Sequence, residues 1–171
     1  MLNEREIKNV SESQSETLTN DEVINVLNGL IETSKDGHEG FKQAAENIPD
    51  SDLKTAFYEF SQQRSQFVGE LQEFVRELGG NPENSGSVLG IIHRGWIDLK
   101  TAILGNDTEA ILNEVERGED TAKSNYQDAL DKIIPANIRS AIENQYYTIK
   151  ASHDRVKIMR DVSKAAHNAN R

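Results

Sequence analysis

The chain reads as an all-α protein, an up-down-up-down four-helix bundle with an additional C-terminal helix. Three observations predict it. Composition is helix-favouring, with only 3 prolines and 6% aromatic residues among runs of Ala, Leu, Ile, Glu, Gln and Lys. Apolar residues recur at alternating spacings of four and three over several heptads, the signature of bundle helices. Capping and breaking residues fall between those runs, where helices must begin and end.

The first 18 residues, which include Val10-Ser-Glu-Ser-Gln-Ser-Glu, are polar and supply few core residues. They are expected to form a flexible arm. Helix one starts with Thr19 and Glu22 at capping-box spacing, and Leu18 is placed to staple onto Val23. Its core row is Val23, Leu27, Leu30, Ser34, Gly37, Phe41, Ala44 and Ile48, and Pro49 ends it. Helix two begins at Asp50 or Ser51, with the row Leu53, Phe57, Phe60, Arg64, Phe67, Leu71, Phe74 and Leu78. Gly79-Gly80 provides a left-handed cap.

After the connector Asn81-Pro-Glu-Asn-Ser-Gly, helix three is expected over 87–104 with the row Leu89, Ile92, Trp96, Leu99 and Ile103. Gly105-Asn106 makes a tight turn, and Asn106 with Glu109 has N-cap spacing for helix four. That helix carries Leu112, Val115, Glu119, Ala122, Tyr126, Ala129 and Ile133. Pro135 then opens helix five, expected to reach about Ala166. Its row, Ile138, Ile142, Gln145, Ile149, Ser152, Val156 and Met159, is half polar. Such a stripe suits a helix outside the bundle or at a subunit interface. The expected division is therefore an arm over 1–18, a bundle over 19–134 and a C-terminal helix over 135–171, with the whole chain a dimer.

Two core positions hold opposite charges, Arg64 and Glu119. Counting back from the turns at about 1.5 Å per residue places Ser34, Arg64, Glu119 and His93 within about one helical turn in height. His38 and Glu116 lie on flanking rows, and Gly37 and Gly95 make room. The reading is a buried polar layer of Arg64, Glu119, His93, His38 and Glu116. An unpaired charge there costs several kcal/mol, so Arg64 and Glu119 should be partners. The layer is either a structural lock or a pocket in which Arg64 grips a small anionic ligand.

Metal chemistry is disfavoured at this layer. Di-iron bundles use Glu-x-x-His motifs on two helices. Here Lys35, Gly90, Lys150 and Lys164 stand three residues before the four histidines. Glu32 and Glu39 fall on the outward face of helix one, and Arg64 repels a dication. One weak site built from His93, Glu116 and Glu119 is the remaining metal alternative; no metal or cofactor is assigned. His153-Asp154-Arg155 reads as an exposed salt-bridged turn, and Glu114, Arg117 and Asp120 as an acidic outer face. No nucleophile context and no phosphate-binding loop occurs, so no catalytic residue is assigned.

A net charge of −10 argues against nucleic acid and anionic membranes as partners. No apolar run approaches the roughly 18 residues of a membrane-spanning helix, and no apolar core of a leader precedes Thr19. The absence of cysteine fits a reducing cytoplasm.

The segments Leu-Ile-Glu-Thr-Ser-Lys-Asp-Gly-His-Glu-Gly-Phe (30 to 41), Gly-Ser-Val-Leu-Gly-Ile-Ile-His-Arg-Gly-Trp-Ile-Asp-Leu-Lys (86 to 100) and Glu-Arg-Gly-Glu-Asp (116 to 120) together resemble a bacterial family of ferritin-like four-helix-bundle proteins of unknown function. Gln-Tyr-Tyr-Thr-Ile-Lys-Ala-Ser-His-Asp-Arg-Val (145 to 156) is similar to the helix that follows the bundle in that family. The resemblance spans about residues 19 to 160. It implies the ferritin-like fold and a bacterial cytoplasmic setting, and no particular reaction. The leading functional expectation is a non-enzymatic binding or stress-associated protein. The alternative is a degenerate di-metal carboxylate protein or weak metal binder.

Overall fold

The computed structural model describes residues 17–82 and 96–171. Five helices are present among them: α1 (Asn20–Asn47), α2 (Ser51–Glu77), α3 (Leu99–Leu104), α4 (Thr108–Leu130) and α5 (Ala136–Ala169). The all-α bundle with a further C-terminal helix is borne out, and no strand occurs among the described residues.

Local chemistry sets the helix ends. Thr19 Oγ1 accepts the Glu22 N–H at 3.2 Å, one half of a capping box. Asp50 Oδ1 accepts the N–H groups of Asp52 and Leu53, both at 2.9 Å. At the end of α2, Gly79 takes φ of +82°. Its N–H donates to Arg76 O, and that of Gly80 to Val75 O. This is a Schellman closure, which needs a residue without Cβ strain at that point.

Two apolar clusters give the direction of each helix. Val23 and Leu27 of α1 share one with Leu71 and Val75 of α2, Tyr126 and Ala129 of α4, and Ile138 and Ile142 of α5. Phe41 and Ile48 share the other with Leu53, Phe57, Leu99, Ile111, Leu112 and Val156. Helices α1 and α5 therefore run one way, and α2 and α4 the other. Leu78 packs at the first cluster and Leu99 at the second. The stretch 83–95, with Leu89, Ile92 and His93, lies outside the described residues.

Three local expectations change. The heptad frame carries helix three through Trp96, whereas residues 96–98 form a turn and the described helix begins at Leu99. Asp107, not Asn106, caps α4, accepting from Glu109 N at 3.0 Å and Ala110 N at 3.3 Å. Asn106 instead occupies the left-handed turn position at φ 50°, which asparagine tolerates better than most residues. Helix α4 stops at Leu130, so the heptad frame lapses and Ile134, rather than Ile133, is buried.

Helix α5 packs on the bundle and turns its half-polar row inward: Ile138, Ile142, Gln145, Ile149, Ser152 and Val156 are all buried. The helix packs along α4 and against α2, while α1 packs against α2 and α4. Gln145 and Ser152 tolerate that interior because each meets a polar partner there.

Candidate functional site

Arg64 and Glu119 meet at mid-bundle, each with 1% of its surface exposed. Arg64 Nη2 donates to Glu119 Oε1 at 2.9 Å and Oε2 at 2.8 Å. Helix α5 completes the group. Ser152 Oγ accepts from Arg64 Nη2 at 2.6 Å. Its own hydrogen faces Glu119 Oε2 at 2.5 Å, with the Ile149 carbonyl at 2.8 Å. The phenyl rings of Phe41 and Phe67 lie 5.5 and 5.4 Å from the guanidinium carbon, within cation–π range. Gly37 makes space: a Cβ there would come 3.1 Å from Arg64 Cγ. Nε and Nη1 of Arg64 have no hydrogen-bond partner among the described residues.

About two turns along α4 lies a second buried polar chain. Tyr126 donates to Gln145 Oε1 at 2.7 Å, and Gln145 Nε2 donates to Glu70 Oε2 at 3.2 Å. With its hydrogen so used, Tyr126 accepts from Ser34 Oγ at 3.0 Å. Burial pushes the phenol's pKa up, well above its usual range. Ser34 thus belongs to the tyrosine chain rather than to the arginine.

The other residues expected in the layer separate. His38 faces α2: its Nδ1 lies 2.9 Å from both the carbonyl and the hydroxyl of Ser61, and Ser61 Oγ donates to the His38 carbonyl at 2.7 Å. A carbonyl only accepts, so His38 carries its hydrogen on Nδ1. Glu116 is half-buried and paired with Arg160 of α5. Neither is hydrogen-bonded to the Arg64–Glu119 pair. His93 and Gly95 lie outside the described residues.

Several residues placed on outer faces are buried. Glu32 is 8% exposed and Glu114 6%. Glu114 accepts the Asp98 N–H at 3.4 Å and pairs with Arg117 at 3.3 Å. Burial raises its pKa, an effect that Arg117 opposes. His153 is 8% exposed, not part of an exposed turn as its exposed neighbours Asp154 and Arg155 are. Its Nε2 lies 2.6 Å from Asp120 Oδ1. This pair lies one residue further along both helices than Glu119 and Ser152. Only the register of α4 on α5 exposes it.

Trp96 wedges between helices. A Cβ on Gly40 of α1 or on Gly118 of α4 would come within 2.4 Å of its indole. It also lines a groove of about 270 Å³ between α1 and α4, with Thr33, Asp36, Asn125 and Lys132. Asn125 Nδ2 donates across that groove to Thr33 Oγ1 at 3.0 Å. Among the described residues no helix is long and apolar enough to cross a membrane.

Among the described residues, the interior carboxylate Glu119 is not set up as a di-metal ligand. Both of its oxygens are bonded to a guanidinium, one of them also to a hydroxyl, so a cation would meet a positive charge where it needs donors.

Fold and site together define a class: an all-α bundle locked at mid-height by a buried ion pair. The chain belongs to the family described as a domain of unknown function, DUF2383, which matches residues 22–132. No curated protein matches the chain.

Proposed function

We propose that this chain is a non-enzymatic binding protein of ferritin-like build, in which the interior layer locks helix register and the surface carries the function. The closure of Glu119 by Arg64 and Ser152 carries this reading: neither oxygen is left free of a protein donor. Buried charge of this kind sets register more readily than it supplies stability. We further propose a homodimer in a bacterial, reducing cytoplasm. The outer face of α5, where Tyr147, Ile158 and Val162 are exposed, is the surface offered for association, and sedimentation of Ile158→Asp against wild type tests it. Loss of the dimer is expected; an unchanged dimer moves the interface elsewhere.

The test of the non-enzymatic reading is iron(II) oxidation by oxygen. Wild type and Glu119→Gln are expected to match the rate of buffer alone. An acceleration present in wild type and absent in Glu119→Gln overturns the reading. One observation favours a second reading, in which the Nε/Nη1 edge of Arg64, without a hydrogen-bond partner among the described residues, holds a small anion. Thermal stabilisation by phosphate, sulfate or acetate that saturates in wild type and vanishes in Arg64→Met would establish it.

A further inference from the structure

We propose that the seam between α4 and α5 holds one divalent first-row transition-metal ion, ligated by Glu116, Asp120 and His153. This goes beyond the binding reading above and uses side chains outside the interior lock.

One ligand atom from each of the three residues lies within 4.8 Å of the others. Glu116 and Asp120 are four apart on α4 and so share a face. His153 reaches them from α5, with Nε2 at 2.6 Å from Asp120 Oδ1. Ligand bonds of about 2.0–2.2 Å require the hydrogen-bonded His153–Asp120 pair to part slightly to admit the ion, and Glu116 to draw in. Asp120 is exposed and Glu116 half-buried, so side-chain rotation suffices, and water fills the remaining positions.

The imidazole is held as metal-bound imidazoles are. Its Nδ1 lies 3.3 Å from Asp154 Oδ1, so one carboxylate backs the ring while Nε2 points at the ligand position. A carboxylate behind a ligating histidine fixes the tautomer and ring direction. An ordinary histidine–aspartate pair needs only one of these two carboxylates.

One cationic side chain competes for the position. Arg160 Nη1 is paired with Glu116, while its Nε and Nη2 lie 3.3 and 3.0 Å from Asp161 Oδ1. An incoming ion displaces only the Glu116 contact, because Asp161 retains the guanidinium. One nitrogen and two carboxylate ligands select zinc, manganese, iron(II) or nickel over magnesium and calcium, which prefer all-oxygen shells.

The experiment is a calorimetric titration of the chelator-treated full chain with Zn²⁺, with Mg²⁺ as comparator. One Zn²⁺ per chain is expected. Affinity should fall at least about 100-fold in Asp120→Asn and in His153→Ala, and about 10–100-fold in Asp154→Asn. It should rise several-fold in Arg160→Gln, which removes the competitor, and stay unchanged in His167→Ala, an exposed histidine near the C-terminus. Asp120 is exposed, so Asp120→Asn keeps the test open even where His153→Ala fails to fold. Wild-type affinity no tighter than that of Asp120→Asn, or an equal loss in His167→Ala, overturns the proposal. Iron oxidation that depends on Glu119 would remove the non-enzymatic reading without touching the zinc titration, and the converse also holds.

Discussion

Ser152 presents its hydroxyl to Glu119 at a separation of 2.5 Å, tying the C-terminal helix into the ion pair that Arg64 makes from the opposite side of the bundle. Three helices thus meet at one carboxylate. Helix α5 is held by this contact as well as by its apolar row, and the polar members of that row become reasons for its place.

Because the pair is buried at 1% exposure, removing one partner strands the other. Arg64→Ala should cost about 3–5 kcal/mol in urea unfolding followed by circular dichroism. Arg64→Met with Glu119→Leu should recover much of that loss, since well-packed apolar replacements of a buried pair are commonly neutral. A thermally silent Arg64→Ala would mean that the guanidinium is solvated.

Tyr126→Phe removes the hydroxyl that joins Ser34 to Gln145. It leaves a buried donor and a buried acceptor without their partner. A loss of about 1–3 kcal/mol is expected, reduced when Gln145→Leu is added, as a double-mutant cycle would measure.

The two glycines around Trp96 are expected to behave unlike a third glycine on the same bundle. Gly118→Ala places a methyl 2.4 Å from the indole, and overpacking of that kind costs about 1–3 kcal/mol. Gly29→Ala meets nothing within 4 Å, so it should gain about 0.5–1 kcal/mol from reduced chain freedom. Trp96 is the one tryptophan, so its emission reports directly. A shifted spectrum in Gly118→Ala and an unshifted one in Gly29→Ala are expected.

Much of the interior was legible because a bundle helix must repeat its apolar face every three or four residues. Val23 to Ile48 and Leu53 to Leu71 follow that rule and are buried. Arg64 and Glu119 stood out as charges breaking the rule at matched heights. What stayed hidden depends on register between distant segments. Ser152 looked like a weak position in a weak row until α5 was placed on α4, and His153 lies one residue off that row. The outward assignment of Glu32 and Glu114 failed for a related reason: a heptad frame marks one buried stripe, whereas α1 and α4 touch neighbours on more than one side. Trp96 lodges against Gly40 of α1 and Gly118 of α4, a placement that no local pattern encodes.

Asp36 should make stability depend on pH. Burial, and next the nearby Glu32, push its carboxyl from the usual 3.8 up to about 7. In the folded chain the group therefore holds its proton through a range in which the unfolded chain has released it. The native state binds more protons there, so stability falls as pH rises. Asp36 imposes no penalty below about pH 4, and its penalty is complete once pH passes about 7. Asp36→Asn keeps the shape and removes the titration. Its thermal midpoint should exceed that of wild type at pH 8, while the two converge or reverse at pH 4. The difference between those conditions should be on the order of a few kcal/mol. A wild-type curve that runs parallel to that of Asp36→Asn across this range would show that the carboxylate is ionised and solvated in the fold.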